Sequence, residues 1–109
     1  MNNPTQNLPE PGLYEHQYGG LYRVLGVAEH TEDTASEPLV IYEHVWPYPP
    51  GNLKARPASA WESRFRQISE ATLQTAMNRD RMEAQAAVAH AKQNKLKFGE
   101  TGQTYNTYY

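Results

Sequence analysis

Histidines recur beside tyrosines along the first half of the chain: His16 follows Tyr14, His30 follows the run that starts at Tyr22, and His44 follows Tyr42. An imidazole can ligate a metal, move a proton or hold a loop by a hydrogen bond, so this recurrence is where chemistry would sit. Three imidazoles on neighbouring strands would leave a bound metal one open position. His16, His30 and His44 lack the short paired spacing of a metal motif and have no convergent carboxylate, so they are weak metal candidates and no metal is expected. The favoured role for His16 and His30 is structural, with hydrogen bonds to loop backbone and to each other that orient the turn. A second set comprises Tyr14, His16, Tyr22, His30, Tyr42 and Arg56. On such a face a base could stack while the Arg56 guanidinium forks onto a phosphate. The plainer alternative makes the tyrosines amphipathic core and rim residues, with Arg56 on strand carbonyls.

Nothing else in the chain signals a reaction. There is no Gly-rich phosphate loop, nucleophile elbow or paired catalytic carboxylate, so no catalytic residue and no cofactor is expected. The chain has no cysteine, which removes disulfides, thiol nucleophiles and thiolate zinc sites. Its 109 residues make one small domain with an appended element and leave little room for a deep enclosed site. Residues 1–55 carry seven Asp/Glu against two Lys/Arg, and residues 56–109 carry five against eight. That division suits protein association or a local anion site better than duplex DNA, which asks for a strongly basic face. No signal peptide or bilayer-length apolar run is visible, and a soluble, cytoplasmic protein is expected.

The elements that must position these groups are mostly strands. Residues 1–11 read as an extended Pro-rich arm. Leu13–Gln17 and Leu21–Ala28 read as a hairpin turning at Tyr18-Gly19-Gly20. Gly26 leaves room for a bend or bulge in the second strand. Leu39–Val45 is a third strand, followed by a Pro-rich break with Trp46 and Tyr48 expected on the surface. Leu53–Arg56 and Arg64–Ile68 read as two short strands. Between them, Ser59-Ala60-Trp61-Glu62 fits a capping box that would point Trp61 into the core.

Ser69 fits the N-cap of a helix with no Pro or Gly from Glu70 to about Lys97 and a natural stop at Gly99. Its narrow stripe of Leu73, Met77, Ala84, Val88 and Ala91 could pack on the sheet or join a second copy, although Asp80 and Arg81 interrupt it. Residues 99–109 form a Tyr-rich tail.

The order Gly12-x-Tyr14-x-His16-x-x-Gly19, Tyr22-x-Val24-x-Gly26-x-Ala28-x-His30-Thr31-Glu32, Val40-x-Tyr42, Arg56-Pro57 and Arg64-Phe65 resembles a bacterial and phage family, the domain of unknown function numbered 1653. The resemblance covers about residues 12–65. It departs from the family pattern at Tyr18, where a basic residue is usual, and around Trp46 to Asn52, where a Pro-rich insertion separates the Trp from Arg56. The resemblance implies a compact β-rich fold and a bacterial or phage origin.

The expected architecture is α+β: a small antiparallel, partly closed β-barrel of SH3-like size over residues 12–68, then one long C-terminal α-helix over 69–98. The expected function is a non-catalytic binding or adaptor module for a small ligand or protein partner, self-associating through the helix as a homo-oligomer. The alternative is a nucleotide or nucleic-acid accessory factor using the Tyr/His/Arg56 face, and a lower one is a His-based metal-dependent enzyme.

Overall fold

The computed structural model describes residues 8–33, 35–61, 63–96 and 98. The five strands are β1 (Gly12–His16), β2 (Leu21–Ala28), β3 (Leu39–Trp46), β4 (Leu53–Pro57) and β5 (Phe65–Gln67). They form one antiparallel sheet in the order β4-β3-β2-β1-β5. β4 and β5 are both edges, so the sheet is open and the expected barrel does not close.

The first hairpin turns through residues 17–20, with Gly19 at a φ of +103° and its N–H bonded to the His16 carbonyl at 2.7 Å. Gly20 serves packing instead. A Cβ there would lie 3.0 Å from Cε1 of Tyr22 and 3.2 Å from Cε1 of His44. The β2–β3 register shifts between Val24 and Gly26, a bulge at the place the glycine allows.

The sheet buries both faces, as strands apolar on both sides require. One cluster joins Tyr14, Val24, Val40, Tyr42, Trp61 and Phe65. Trp61 stacks on Phe65 with ring centroids 3.7 Å apart and planes 3° from parallel. It arrives from a 3-10 turn at Ala58–Ala60 that has no side-chain cap. Ser59 does not act as the expected cap, since its hydroxyl and N–H bind the Glu37 carboxylate at 2.8 and 2.6 Å, and Glu62, the other half of the expected capping box, lies outside the described residues. A second cluster joins Leu13, Leu21, Trp46, Leu73, Ala76 and Ala84. Trp46, expected at the surface, is 5% exposed, because the register puts it opposite Leu21 and under the helices. The peptide from Trp46 to Pro47 is cis.

The single long helix is two: α1 (Glu70–Met77) and α2 (Arg81–Gln93). Ser69 caps α1 by accepting from the Thr72 N–H, as expected. Asp80 caps α2 by accepting from the Glu83 N–H at 3.0 Å, so the residue that interrupts the apolar stripe starts a new helix. On either side of the break, α1 through Leu73 and Ala76 and α2 through Ala84 reach the same cluster.

The Gly99 stop and the C-terminal tail fall outside the described residues, as does the arm before Leu8. The arm's described end is tied to the sheet by the Tyr14 hydroxyl, which donates to the Glu10 carbonyl at 2.9 Å. No described helix is long and apolar enough to cross a membrane.

Removing the α2 cap should show its worth. Asp80→Ala is expected to lower unfolding stability by about 0.5–2 kcal/mol, read from urea denaturation, whereas a continuous helix would be indifferent to the change or gain from it.

Candidate functional site

The antiparallel register carries one set of side chains to a common face, because directly opposed residues point the same way. Tyr22 faces Tyr14 and His44, His16 faces Phe65, and Tyr42 faces Lys54. At the end of this face lies a cleft of about 770 Å³. Its floor is His16, Gly20, Tyr22 and His44. The hairpin supplies Tyr18, the β3–β4 connection supplies Tyr48 and Asn52, β4 supplies Lys54 and Arg56, and Arg64 precedes β5. α2 closes one side with Val88, Ala89 and Lys92. The helix is held there by Gln85, whose side chain donates to the Pro47 carbonyl at 3.0 Å and whose carbonyl accepts from the Tyr48 hydroxyl at 3.2 Å.

Each cleft histidine anchors a rim. The Tyr18 N–H donates to Nδ1 of His16, and the Tyr48 N–H donates to Nε2 of His44, both at 3.0 Å. A backbone N–H can only donate, so each ring is neutral there and its one lone pair is occupied. Neither nitrogen pair is available to ligate a metal or accept a substrate proton without releasing a loop. His30 behaves likewise, its Nδ1 accepting from the Asp33 N–H at 3.0 Å in the β2–β3 loop. The structural role expected for His16 and His30 is thus made with loop backbone and not between the two rings. Among the described residues no group of three or more metal-capable side chains assembles.

The electrostatics agree. Burial pulls the His16 imidazole down from its ordinary 6.5 to about 4, assisted by the Arg56, Arg64 and Lys92 charges. Burial, then Lys54, brings His44 to about 4, with a backbone hydrogen bond at Trp46 acting the other way. Burial first, then the Tyr42 phenol, pushes Tyr22 up to about 12, opposed by Arg56. The Tyr22 hydroxyl is therefore a neutral donor at pH 7, and it has no hydrogen-bond partner among the described residues.

Arg56 is fixed in place. Its Nε donates to the Tyr42 hydroxyl at 3.3 Å, and its guanidinium sits 5.3 Å from the Phe65 ring centroid. Among the described residues Lys54, Arg64 and Lys92 make no ion pair and no carboxylate lines the cleft. The buried Glu15 is on the other face, bound to Arg66 at 3.3 Å.

A family model described as "Protein of unknown function (DUF1653)" matches residues 12–71. The chain belongs to this family. No curated protein and no solved structure matches it. The DUF1653 region contains the whole sheet and the cleft floor, while Val88, Ala89 and Lys92 come from beyond it.

Of the residues singled out in the sequence as a binding face, the fold brings His16, Tyr22 and Arg56 into the cleft. Tyr14 and Tyr42 are buried in the first cluster, and His30 lies in a separate loop. Missed by sequence reasoning were Tyr18, Tyr48, Asn52, Lys54, Arg64 and Lys92. For Lys54 the period-2 spacing to Arg56 was an available signal; for Arg64 and Lys92 there was none. Of the helix stripe, Leu73, Ala84 and Ala91 are buried inside the chain, Val88 lines the cleft, and Met77 is 43% exposed.

The depressed imidazoles have a thermodynamic consequence. The unfolded chain protonates them near pH 6.5 and the folded chain only near 4, so the unfolded state binds more protons between those values. Their contribution to stability is complete above about pH 6.5 and is lost as pH falls toward 4. Imidazole titrations followed by NMR are expected to give midpoints near 4 for His16 and His44, and midpoints near 6.5 would refute the neutral, backbone-capped arrangement.

Proposed function

We propose that the chain is a non-catalytic binding module that holds a small anionic ligand in the cleft. The observation that carries this reading is the convergence of Lys54, Arg56, Arg64 and Lys92 on a cavity with no carboxylate in its lining among the described residues. Like charges gathered without counter-charges repel one another, and an anion relieves that repulsion with charge-assisted hydrogen bonds. The volume falls within the range of about 300–1,000 Å³ common for small-ligand sites. Binding is favoured over turnover because both cleft imidazoles spend their lone pairs on backbone N–H groups.

A bacterial or phage origin and a cytoplasmic location belong to the same proposal, resting on the family pattern and the cysteine-free composition. Self-association through the helices has less to support it, since most of the stripe is already buried against the sheet.

Inorganic pyrophosphate is a suitable first probe. It is expected to raise the melting temperature of the full chain, with the effect shrinking as salt is added. Arg64 and Lys92 are exposed, so the double variant Arg64→Ala, Lys92→Ala should fold normally and bind at least about tenfold more weakly. Absence of any shift at millimolar pyrophosphate would overturn the anion reading.

A further inference from the structure

The cleft has two unlike ends. Its rings form a row in which centroids are 6.4 Å apart from His16 to Tyr22, 4.6 Å from Tyr22 to His44 and 5.3 Å from His44 to Tyr48. At the His16 end lie Arg64, whose carbonyl accepts from the Gln17 N–H at 2.8 Å, and Arg56, 5.3 Å from the Phe65 ring that packs 4.7 Å from His16. Lys92 follows one turn after Val88, which faces Gly19, whereas Lys54 stands across from Tyr42. At the far end Tyr48 presents a partly exposed ring, held by its N–H on His44 and its hydroxyl on the Gln85 carbonyl. A ring pinned at both ends is a pre-ordered stacking platform and loses little freedom when a flat ligand settles on it. Asn52 lies beside it with an amide that has no hydrogen-bond partner among the described residues and offers both donor and acceptor. Between the ends stands the Tyr22 hydroxyl, a neutral donor at pH 7.

Resting on the anionic-ligand reading above, we infer that the occupant is a nucleoside monophosphate. Its phosphate lies among Arg56, Arg64 and Lys92, its ribose hydroxyls meet Tyr22, and its base stacks on Tyr48 with an edge toward Asn52. A phosphate monoester carries a charge of about −1.5 to −2 at pH 7, which three converging cations balance. A bare phosphate or sugar phosphate would leave the Tyr48 and Asn52 end unused. A nucleic-acid strand would instead need a continuing basic track, whereas Arg66 is bound to Glu15, Arg81 lies over the Trp46 ring, and the chain has a net charge of −2.

Isothermal titration of the full chain separates the possibilities, using the four common ribonucleoside 5′-monophosphates, ribose 5-phosphate, pyrophosphate and a single-stranded octanucleotide. At least one monophosphate is expected to bind about tenfold or more tighter than ribose 5-phosphate. Tyr48→Ala should erase that advantage and leave ribose 5-phosphate binding intact, Tyr48→Phe should keep it, and Arg64→Ala should weaken both ligands. If all four monophosphates bind no better than ribose 5-phosphate, the nucleotide inference fails while the anion reading stands. If nothing binds, pyrophosphate included, both fail. An octanucleotide that binds tighter than every monophosphate also overturns the inference, in favour of a strand.

Discussion

Both rims of the cleft depend on one interaction used twice, a backbone N–H donated to a buried neutral imidazole. The Tyr18 N–H ends on His16 and the Tyr48 N–H on His44. Each bond contributes only about 0.5–1.5 kcal/mol net, but its loss would leave a loop donor without a partner beside the sheet. It also dictates charge. A protonated imidazole has no lone pair to accept with, so burial and the neighbouring cations that hold the rings neutral also keep the loops attached. Gly20 makes the arrangement possible, since any side chain there would press on the Tyr22 and His44 rings.

The open sheet follows from how its ends are filled. Closing it would require β4 and β5 to exchange hydrogen bonds. Instead Trp61, stacked on Phe65 of β5 and edge-on to Tyr14 of β1 and Tyr42 of β3, packs as a wedge on the face those side chains share. Arg56 reaches from β4 over Phe65 of β5 and completes the wedge. An aromatic block of this size substitutes for the missing ladder on the inner face. The three residues of β5 could not have supplied a long one. The same wedge points the Arg56 charge into the cleft, so packing and electrostatics share a residue.

The DUF1653 match ends at residue 71, inside α1. The matched region therefore holds the floor, the two histidine anchors and three of the four cleft cations, Lys54, Arg56 and Arg64. The wall made by α2 is an addition to that base. It is joined to the rims through Gln85 and through Val88, whose Cγ2 would sit 3.6 Å from a Cβ on Gly19. Lys92 completes the cation set from this wall, so the part of the cleft that lies beyond the matched region also adds charge.

Local pattern determined the elements of the sheet. Alternating and two-sided apolar runs marked β2 at its observed bounds and β1, β3, β4 and β5 to within a residue or two, Gly26 marked the bulge, and Ser69 marked the start of α1. The helix break was also legible, since Asp80 and Glu83 have the spacing of a cap, but a run free of Pro and Gly outweighed it. Three members of the binding face, His16, Tyr22 and Arg56, were visible because strand period and residue type both pointed to them. What only the tertiary structure decided was closure and convergence. Whether β4 meets β5 depends on what fills the gap, and Trp61 comes from a turn whose expected Ser59 cap was taken by Glu37. Arg64 and Lys92 look in sequence like ordinary surface cations. They become part of one cleft because β5 pairs with β1 and α2 packs against the β3–β4 connection, arrangements set by contacts between residues as far apart as Pro47 and Gln85, which no local spacing encodes.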